Sequence, residues 1–440
     1  MKIHLVSLGC ARNQVDSETM SGRLLASGHT ITQDADEAEV IVVNTCSFIE
    51  SAADESIDTI LALSRLKETG ACRRLVVAGC LPERYQEEIA ASLPEVDQFL
   101  GTGAFDRIVT AVEAARPDEK CLLPDPDAIG FLQTDSHRIL SQKHMAYLKI
   151  AEGCDRHCTY CIIPRLRGRQ KSRPMARILD EARTLIGAGV KELVLVAQES
   201  TAYGSDLGLQ HGLADLLTLL ADISPATWIR VLYGHPESID QETIKVMGST
   251  PNICAYFDIP VQHASDTVLK RMGRHYIGED LYRLFHDIRK KVPDAVLRTT
   301  LIVGFPGETK ADFETLLAFV EEIQFDHLGV FTYSDADDLP SHGIGGHVSS
   351  ETANERHDTI MAHQSAISEA NNQKYIDATL AVLIEEASEE NLYTGRTVFQ
   401  APEVDGLTFV RGHHLQPGTF ARVRIIDAYE YDLVGEISDA

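Results

Sequence analysis

No stretch of the 440-residue sequence offers the ~20 consecutive apolar residues that a membrane-spanning helix needs. The longest runs, Leu193 to Ala197 and Ala295 to Val303 with Arg298 inside it, have the length of strands. The N-terminal MKIHLVSLGCARNQ also lacks the apolar core of a secretory leader. It reads as a strand entering a loop, and a cytoplasmic protein is expected. Positive charge is scarce as well: 40 Lys and Arg stand against 66 Asp and Glu, a net −26. That balance disfavours a partner gripped mainly through phosphates, unless a local basic patch overrides it. The 44 % apolar and 24 % charged fractions exclude disorder as the main theme. At ~100–200 residues per domain the length suggests two to four domains.

Short β-branched runs alternate with helical patterns over the first ~125 residues, the signature of a parallel sheet. Strands are expected at Ile3–Leu8, Val40–Asn44 and Leu75–Ala78. Helices are expected at Asp16–Ser27, Ser51–Arg65 and after Pro82, with a weaker unit from Gln98 to Glu113. Residues 117–141 lapse into Pro, Asp and Ser and read as a linker. A second series follows, with strands at Tyr147–Ala151, Glu192–Ala197, Ile229–Tyr233, Tyr256–Pro260, Leu297–Val303 and Leu328–Tyr333. Helices between them fall at Met175–Ile186, Asp240–Met247, Glu279–Lys291 and Ala311–Ile323. Six such units in unbroken rhythm predict a partial (β/α)6 barrel, whose chemistry gathers at the strands' C-terminal ends. After residue ~370 the pattern turns to strands alone, at Thr379–Glu385, Tyr393–Phe399, Thr408–Arg411 and Phe420–Ile426, a small all-β barrel. The fold class is thus α/β with a C-terminal all-β module, divided at 1–125, 140–370 and 371–440.

Nine cysteines in a cytosolic chain point to metal or catalysis rather than to disulfides. Cys10, Cys46 and Cys80, spaced 36 and 34 residues apart, each lie just beyond one of the first three strands. In open α/β sheets ligands bind outside the carboxyl ends of the strands, so three remote cysteines would converge there. Three unrelated core cysteines are the plainer alternative. Cys154, Cys158 and Cys161 form a tight C-x3-C-x2-C. Zinc sites usually recruit two pairs of ligands. His157 could be proposed as a fourth, but no second pair is nearby. Three thiolates suit an iron–sulfur cluster with one iron left open to substrate.

The C-x3-C-x2-C loop resembles that of the radical S-adenosylmethionine superfamily. The resemblance extends over essentially the whole chain, whose layout is that of the methylthiotransferase family: strand-end cysteines, radical barrel and TRAM-like β-barrel. It implies two 4Fe–4S clusters, one on Cys154, Cys158 and Cys161 that binds and cleaves S-adenosylmethionine, and one on Cys10, Cys46 and Cys80 that carries sulfur. It further implies insertion of CH3–S into an unactivated C–H bond by way of a 5′-deoxyadenosyl radical. Ser7-Leu-Gly-Cys10-Ala-Arg-Asn13-Gln-Val-Asp16-Ser17-Glu18, Asn44-Thr-Cys46-Ser-Phe-Ile49 and Ile259-Pro-Val-Gln-His263-Ala-Ser265 are similar to the branch that modifies an aspartate β-carbon of small-subunit ribosomal protein S twelve. The same chemistry on a tRNA adenosine is the alternative, and an iron–sulfur redox sensor on ribosomes a more distant one. Tyr333-Ser-Asp-Ala-Asp-Asp-Leu-Pro departs from the family's YSxEEGTxA. A low-potential flavodoxin or ferredoxin donor and a separate sulfur donor are implied partners.

Gln198 and Glu199 are candidates to bind the cofactor. Gly304 and Gly307 would let backbone approach it, although a strand-to-helix turn capped by Thr309 explains them equally. His263 faces substrate or is a hydrogen-bonded structural group. Cys72, Cys121 and Cys254 read as structural. Alternation in Arg165, Arg167, Arg169, Lys171 and Arg173 would place five cations on one face of an extended loop, as a nucleic-acid patch or as neutralisers of cofactor and cluster. Residues 371–440 hold twelve acidic and five basic side chains, a net −7, including Glu385, Glu386, Glu389, Glu390 and Asp405. Such a module repels RNA and suits a basic protein partner, or is a solvated acidic surface that aids solubility.

Overall fold

A computed structural model describes residues 1–114, 119–128 and 138–438. Part of the expected linker, residues 117–118 and 129–137, lies outside them. The N-terminal region is a six-stranded parallel sheet in the order Thr30–Ile31, Lys2–Ser7, Val40–Thr45, Arg74–Gly79, Gln98–Leu100, Cys121–Leu122. Val40–Thr45 and Arg74–Gly79 are buried at every position, which is why they read as continuous apolar runs. Register pairs Ser7 with Asn44 and Thr45 with Gly79, so the three strands end level. The strand order reverses between Lys2–Ser7 and Val40–Thr45, and the crevice at that reversal is where such sheets bind ligands. The two-residue edge strands, Thr30–Ile31 and Cys121–Leu122, are too short to leave a sequence pattern.

Six further parallel strands follow in chain order. Met145–Lys149, Glu192–Val196 and Trp228–Val231 form one sheet, and Tyr256–Asp258, Val296–Val303 and His327–Thr332 a second. A parallel bridge from Ile229 to Ile253 joins them into a six-stranded arc, the partial barrel expected. Met175–Gly187, Gln241–Ser249, Gly278–Lys291 and Lys310–Ile323 are helices within one or two residues of expectation. Their buried residues recur at helical spacing, for example Leu281, Phe285 and Ile288. Thr309 caps Lys310–Ile323, its hydroxyl accepting from the Asp312 amide. A 24-residue helix, Ser350–Gln373, leads to the last module. No helix among the described residues is long and apolar enough to cross a membrane.

That module is a closed barrel of five strands: Thr379–Glu389, Leu392–Arg396, Thr408–Arg411, Phe420–Ala428 and Leu433–Ile437. The fifth is not apparent in the sequence because Gly435 interrupts it. Gly435 is required there, since a Cβ would come within 2.3 Å of Val423 Cγ1.

The module seats into the radical barrel rather than hanging from it. Leu383 and Ala401 pack with Tyr147, Trp228 and Tyr256, and the rings of Trp228 and Phe420 are 4.6 Å apart. Arg396, 1 % exposed, donates to Glu192 Oε2 and Glu385 Oε1 at 2.6 Å each, and Arg230 donates to Glu192 Oε1 at 2.7 Å. Tyr256 donates to Asp405 Oδ2 at 2.6 Å. The acidic-surface expectation is corrected at two positions: Glu385 and Asp405 belong to this joint, because buried arginines need carboxylates. Glu386, Glu389 and Glu390 are exposed.

Arg396→Met should loosen the module by about 3–5 kcal/mol, the cost of stranding buried charge. Limited proteolysis between residues 374 and 379 is the measurement, and cleavage no faster than in the parent would contradict it. Burial pushes the Glu192 carboxyl up, but Arg396 and Arg230 outweigh it and hold it down at about 2, below the 4.5 of an unfolded chain. Its contribution is therefore complete above pH 4.5 and is lost as pH falls toward 2.

Candidate active site

The structure brings Cys10, Cys46 and Cys80 to one edge of the first sheet. Cys10 caps the helix Ala11–Ala26, Cys46 follows Val40–Thr45, and Cys80 opens the helix Cys80–Tyr85. Gly9 has φ +91°, and a Cβ there would stand 2.6 Å from Cys46 Cβ, so only glycine lets these two loops meet. Asn13 Nδ2 donates to Leu8 O at 3.0 Å and Thr45 O at 2.9 Å. Asn44 Nδ2 donates to Asn13 O and Ser17 Oγ at 2.9 Å each, and Thr45 Oγ1 to Ala78 O at 2.6 Å. These bonds lace the three strand ends together. Burial pushes the Cys10 thiol up, but Arg12 and Arg167 outweigh it and leave it lowered. Burial raises Cys46, and takes Cys80 to about 11 although Arg167 Nη2 lies 3.6 Å from its sulfur.

Cys154, Cys158 and Cys161 share one loop at the mouth of the arc. Gly153, φ +79°, lets that loop pass over Arg169, whose carbonyl oxygen would be 2.1 Å from a Cβ. The Cys154 amide donates to Gly168 O at 3.0 Å, and the Arg156 amide to Cys154 Sγ at 3.4 Å. Burial pushes Cys154 up to about 11 and Cys161 to about 12. Among the described residues no three His, Cys, Asp or Glu side chains are gathered closely enough to hold a single metal ion. A four-iron cluster does not need its thiolates around one point, since each meets a different iron. His157, the alternative zinc ligand, is exposed.

A buried ionic network joins the two cysteine sets. Arg167 donates to Asp16 Oδ2 at 2.9 Å, Asn13 Oδ1 at 2.5 Å and Glu152 Oε1 at 3.5 Å. Lys149 Nζ reaches Asp16 and, at 2.8 Å, Glu152 Oε2. Burial raises the Glu152 carboxyl, but Lys149 and Arg167 prevail and hold it down at about 2. Glu152 lies two residues before Cys154, and Arg167 touches Cys80. The sequence reading missed this network. A lone lysine inside the buried strand Met145–Lys149 was its one visible trace.

Other expected residues are redistributed. Gln198 Nε2 donates to Glu152 Oε1, and Glu199 pairs with Arg156 at 2.8 Å while lying 4.0 Å from Cys154 Sγ. Gly304 and Gly307 are needed for packing as well as being candidates for backbone approach to a cofactor. A Cβ on Gly304 would be 2.6 Å from Ala353 Cβ, and one on Gly307 would meet the Arg271 guanidinium, so only glycine fits at either position. His263 is fully buried, accepts from the Ser265 amide at 3.0 Å and stands 3.8 Å from Glu308, a structural group.

The single basic face is corrected as well. Arg165 and Arg167 lie on the helix Ile163–Arg167, where Arg167 is buried, and Arg173 is buried against Lys149 O at 2.7 Å. Arg165 and Arg84 grip Asp338 of the departing 335–340 segment, at 3.4 and 2.6 Å. That clamp walls a cleft of about 590 Å³ lined by Glu50, Arg84, Asp335 and Asp337. Cys72 and Cys254 are buried in cores, and Cys121 is on an edge strand.

Comparison with known proteins places these features. Residues 2–101 match an uncharacterized protein family, UPF0004, residues 148–320 the Radical SAM superfamily, and residues 376–437 the TRAM domain. The solved structure of the radical S-adenosylmethionine methyltransferase TsrM from Kitasatospora setae, with cobalamin and a [4Fe-4S] cluster bound, superposes with a TM-score of 0.58. It is 14 % identical, over 78 % of this chain and 77 % of that one. The cobalamin-dependent S-adenosylmethionine radical enzyme OxsB, with aqua-cobalamin bound, superposes at 0.51, with 14 % identity over 83 % of this chain and 56 % of that one. These two likenesses show the fold. The superfamily match over residues 148–320 is what points to a radical S-adenosylmethionine enzyme, a class that uses S-adenosylmethionine and iron–sulfur chemistry.

Full-length relatives narrow the class. The ribosomal protein uS12 methylthiotransferase RimO of Desulfosudis oleivorans is 56 % identical over 99 % of this chain and 100 % of its own. That of Clostridioides difficile is 47 % identical over 99 % of both chains, and that of Geobacter sulfurreducens 46 % identical over 99 % and 98 %. The chain belongs to the RimO methylthiotransferase family.

Proposed function

We propose that the protein attaches a methylthio group to the β-carbon of an aspartate in ribosomal protein uS12, the substrate in its relatives' names. One observation carries this reading: the Asp16–Lys149–Glu152–Arg167 network ties Cys80 of the first triad to the strand end that opens the loop of Cys154. Cys154, Cys158 and Cys161 hold the cluster that binds S-adenosylmethionine, and Cys10, Cys46 and Cys80 hold the one that carries sulfur. When bound, the cofactor and its cluster supply a 5′-deoxyadenosyl radical, able to take hydrogen from a carbon too weakly acidic for a base. The amide of Arg156 donates to the Cys154 sulfur, while Arg156 and Glu199 neutralise each other beside it. Arg12 and Arg167 favour the thiolate of Cys10. The rigid network keeps the two cysteine sets in fixed register, which a transfer between them requires.

The functional units correspond to residues 1–125, 140–370 and 371–440. A low-potential flavodoxin or ferredoxin supplies electrons, a separate donor supplies sulfur, and the reaction takes place in the cytoplasm. Exposed Glu386, Glu389 and Glu390 favour a basic protein over RNA as the partner. Mass spectrometry of ribosomal proteins and of tRNA nucleosides from a deletion strain tests the reading. Loss of a CH3S-for-H increment from uS12 is expected, with tRNA unchanged. Loss from tRNA alone would overturn the substrate, and loss from neither would overturn the reaction.

A further inference from the structure

Arg274 is 9 % exposed, and among the described residues no carboxylate lies within ion-pair reach of it. Its Nη2 donates to the Tyr160 hydroxyl at 2.7 Å, its Nη1 faces His235 Nε2, and its Nε has no partner. The rings of Tyr276 and Tyr160 lie 5.8 and 6.0 Å from the guanidinium carbon. Those contacts solvate the cation without neutralising it. Elsewhere in the interior, Arg167, Arg230 and Arg396 each hold at least one carboxylate. A buried, unneutralised guanidinium is costly, and a further negative group at the site would offset that cost.

The backbone shows where that group lies. Gly273, φ +75°, presses against the His157 carbonyl, which would be 2.8 Å from a Cβ. The Thr159 amide donates to Met272 O at 3.0 Å, and its hydroxyl to Arg271 O at 2.8 Å. Residues 271–274 are thus clamped onto the loop that carries Cys158 and Cys161. His235 does not compete as a cation: burial, Arg274 and Arg156 hold its pKa down at about 2.

We propose that Arg274 is the protein's counter-charge to the cluster held by Cys154, Cys158 and Cys161, and that it raises that cluster's reduction potential. The inference rests on the functional reading above. Three thiolates make the cluster anionic, and one electron from a low-potential donor adds a further negative charge. A fixed cation nearby therefore favours the reduced form. Arg274 is a positioning residue for electron entry and takes no part in bond making.

The test is a redox titration followed by electron paramagnetic resonance, without S-adenosylmethionine, on reconstituted Cys10→Ala/Cys46→Ala/Cys80→Ala protein, which isolates the one cluster. Adding Arg274→Met should cut the ratio of reduced to oxidised cluster about tenfold at fixed potential, a shift of ~59 mV to the negative side for one electron. Arg274→Lys, which keeps the charge, should restore most of it. If the Met variant does not load iron, Arg274→Gln, which can still bond Tyr160, is titrated instead. An unchanged potential would overturn the proposal. If S-adenosylmethionine binding, measured by calorimetry, weakened at the same unchanged potential, Arg274 would serve the cofactor's carboxylate instead. Failure of the parent protein to cleave S-adenosylmethionine would defeat the functional reading itself, whatever its potential.

Discussion

Replacing Cys154, Cys158 and Cys161 together by Ala should remove about half of the iron from anaerobically reconstituted protein and abolish reductive cleavage of S-adenosylmethionine. Among the bonds of this loop, alanine removes the one from the Arg156 amide to Cys154 Sγ. Gly153, the Cys154 amide on Gly168 O and the Thr159 amide on Met272 O are backbone features that alanine keeps. The first barrel and the sheet should fold unchanged, so the lost iron reports the site alone. Because burial holds Cys154 at about 11 and Cys161 at about 12, both thiols are protonated before loading, and iron must displace those protons. Cluster assembly in the parent should accordingly strengthen as the pH of reconstitution rises from about 7 to about 8.5, with the triple variant insensitive at this site. Retention of all iron by the variant, or zinc in its place, would remove the two-cluster arrangement.

The matching replacement of Cys10, Cys46 and Cys80 should give the complementary result: cleavage of S-adenosylmethionine at near-parent rates, with no methylthiolated protein. The two cysteine sets communicate through Arg167 and Asp16, and both stay paired when the thiols are gone. Lys149 keeps its bonds to Asp16 and Glu152, so the entrance to the radical loop stays in place. Product analysis by mass spectrometry alongside 5′-deoxyadenosine formation separates the two functions. Cleavage that disappears while the remaining cluster keeps its spectrum would show that the sets do not act separately.

Much of the architecture was legible in the amino-acid pattern because strands buried on both faces leave runs such as Val40–Val43 and Leu193–Ala197, and amphipathic helices leave their spacing. The convergence of Cys10, Cys46 and Cys80 was legible for a related reason: each follows such a run at once. Three things were hidden. Gly435 masked the strand that closes the C-terminal barrel. The alternating basic residues from 165 to 173 looked like one face, but a helix at Ile163–Arg167 and the antiparallel pairing of Lys171–Ser172 with Ala151–Glu152 send them apart. The partners of Glu385 and Asp405 lie far away in sequence, and a local count of charge cannot tell a surface acid from one that answers a buried arginine.

The joint between Arg396 and Glu192 also governs how the molecule is made. The two residues are 204 positions apart. At ~5–20 residues per second of synthesis, roughly 10–40 s separate the emergence of one from the other. Until Arg396 and its module emerge, the floor of the radical barrel lacks the cover that Leu383 and Ala401 give Trp228 and Tyr256, and Glu192, once Arg230 is made, has that arginine alone as its partner. Completion of the barrel therefore waits for the end of translation, and a nascent chain that acquires iron early does so on a scaffold whose base is not yet closed.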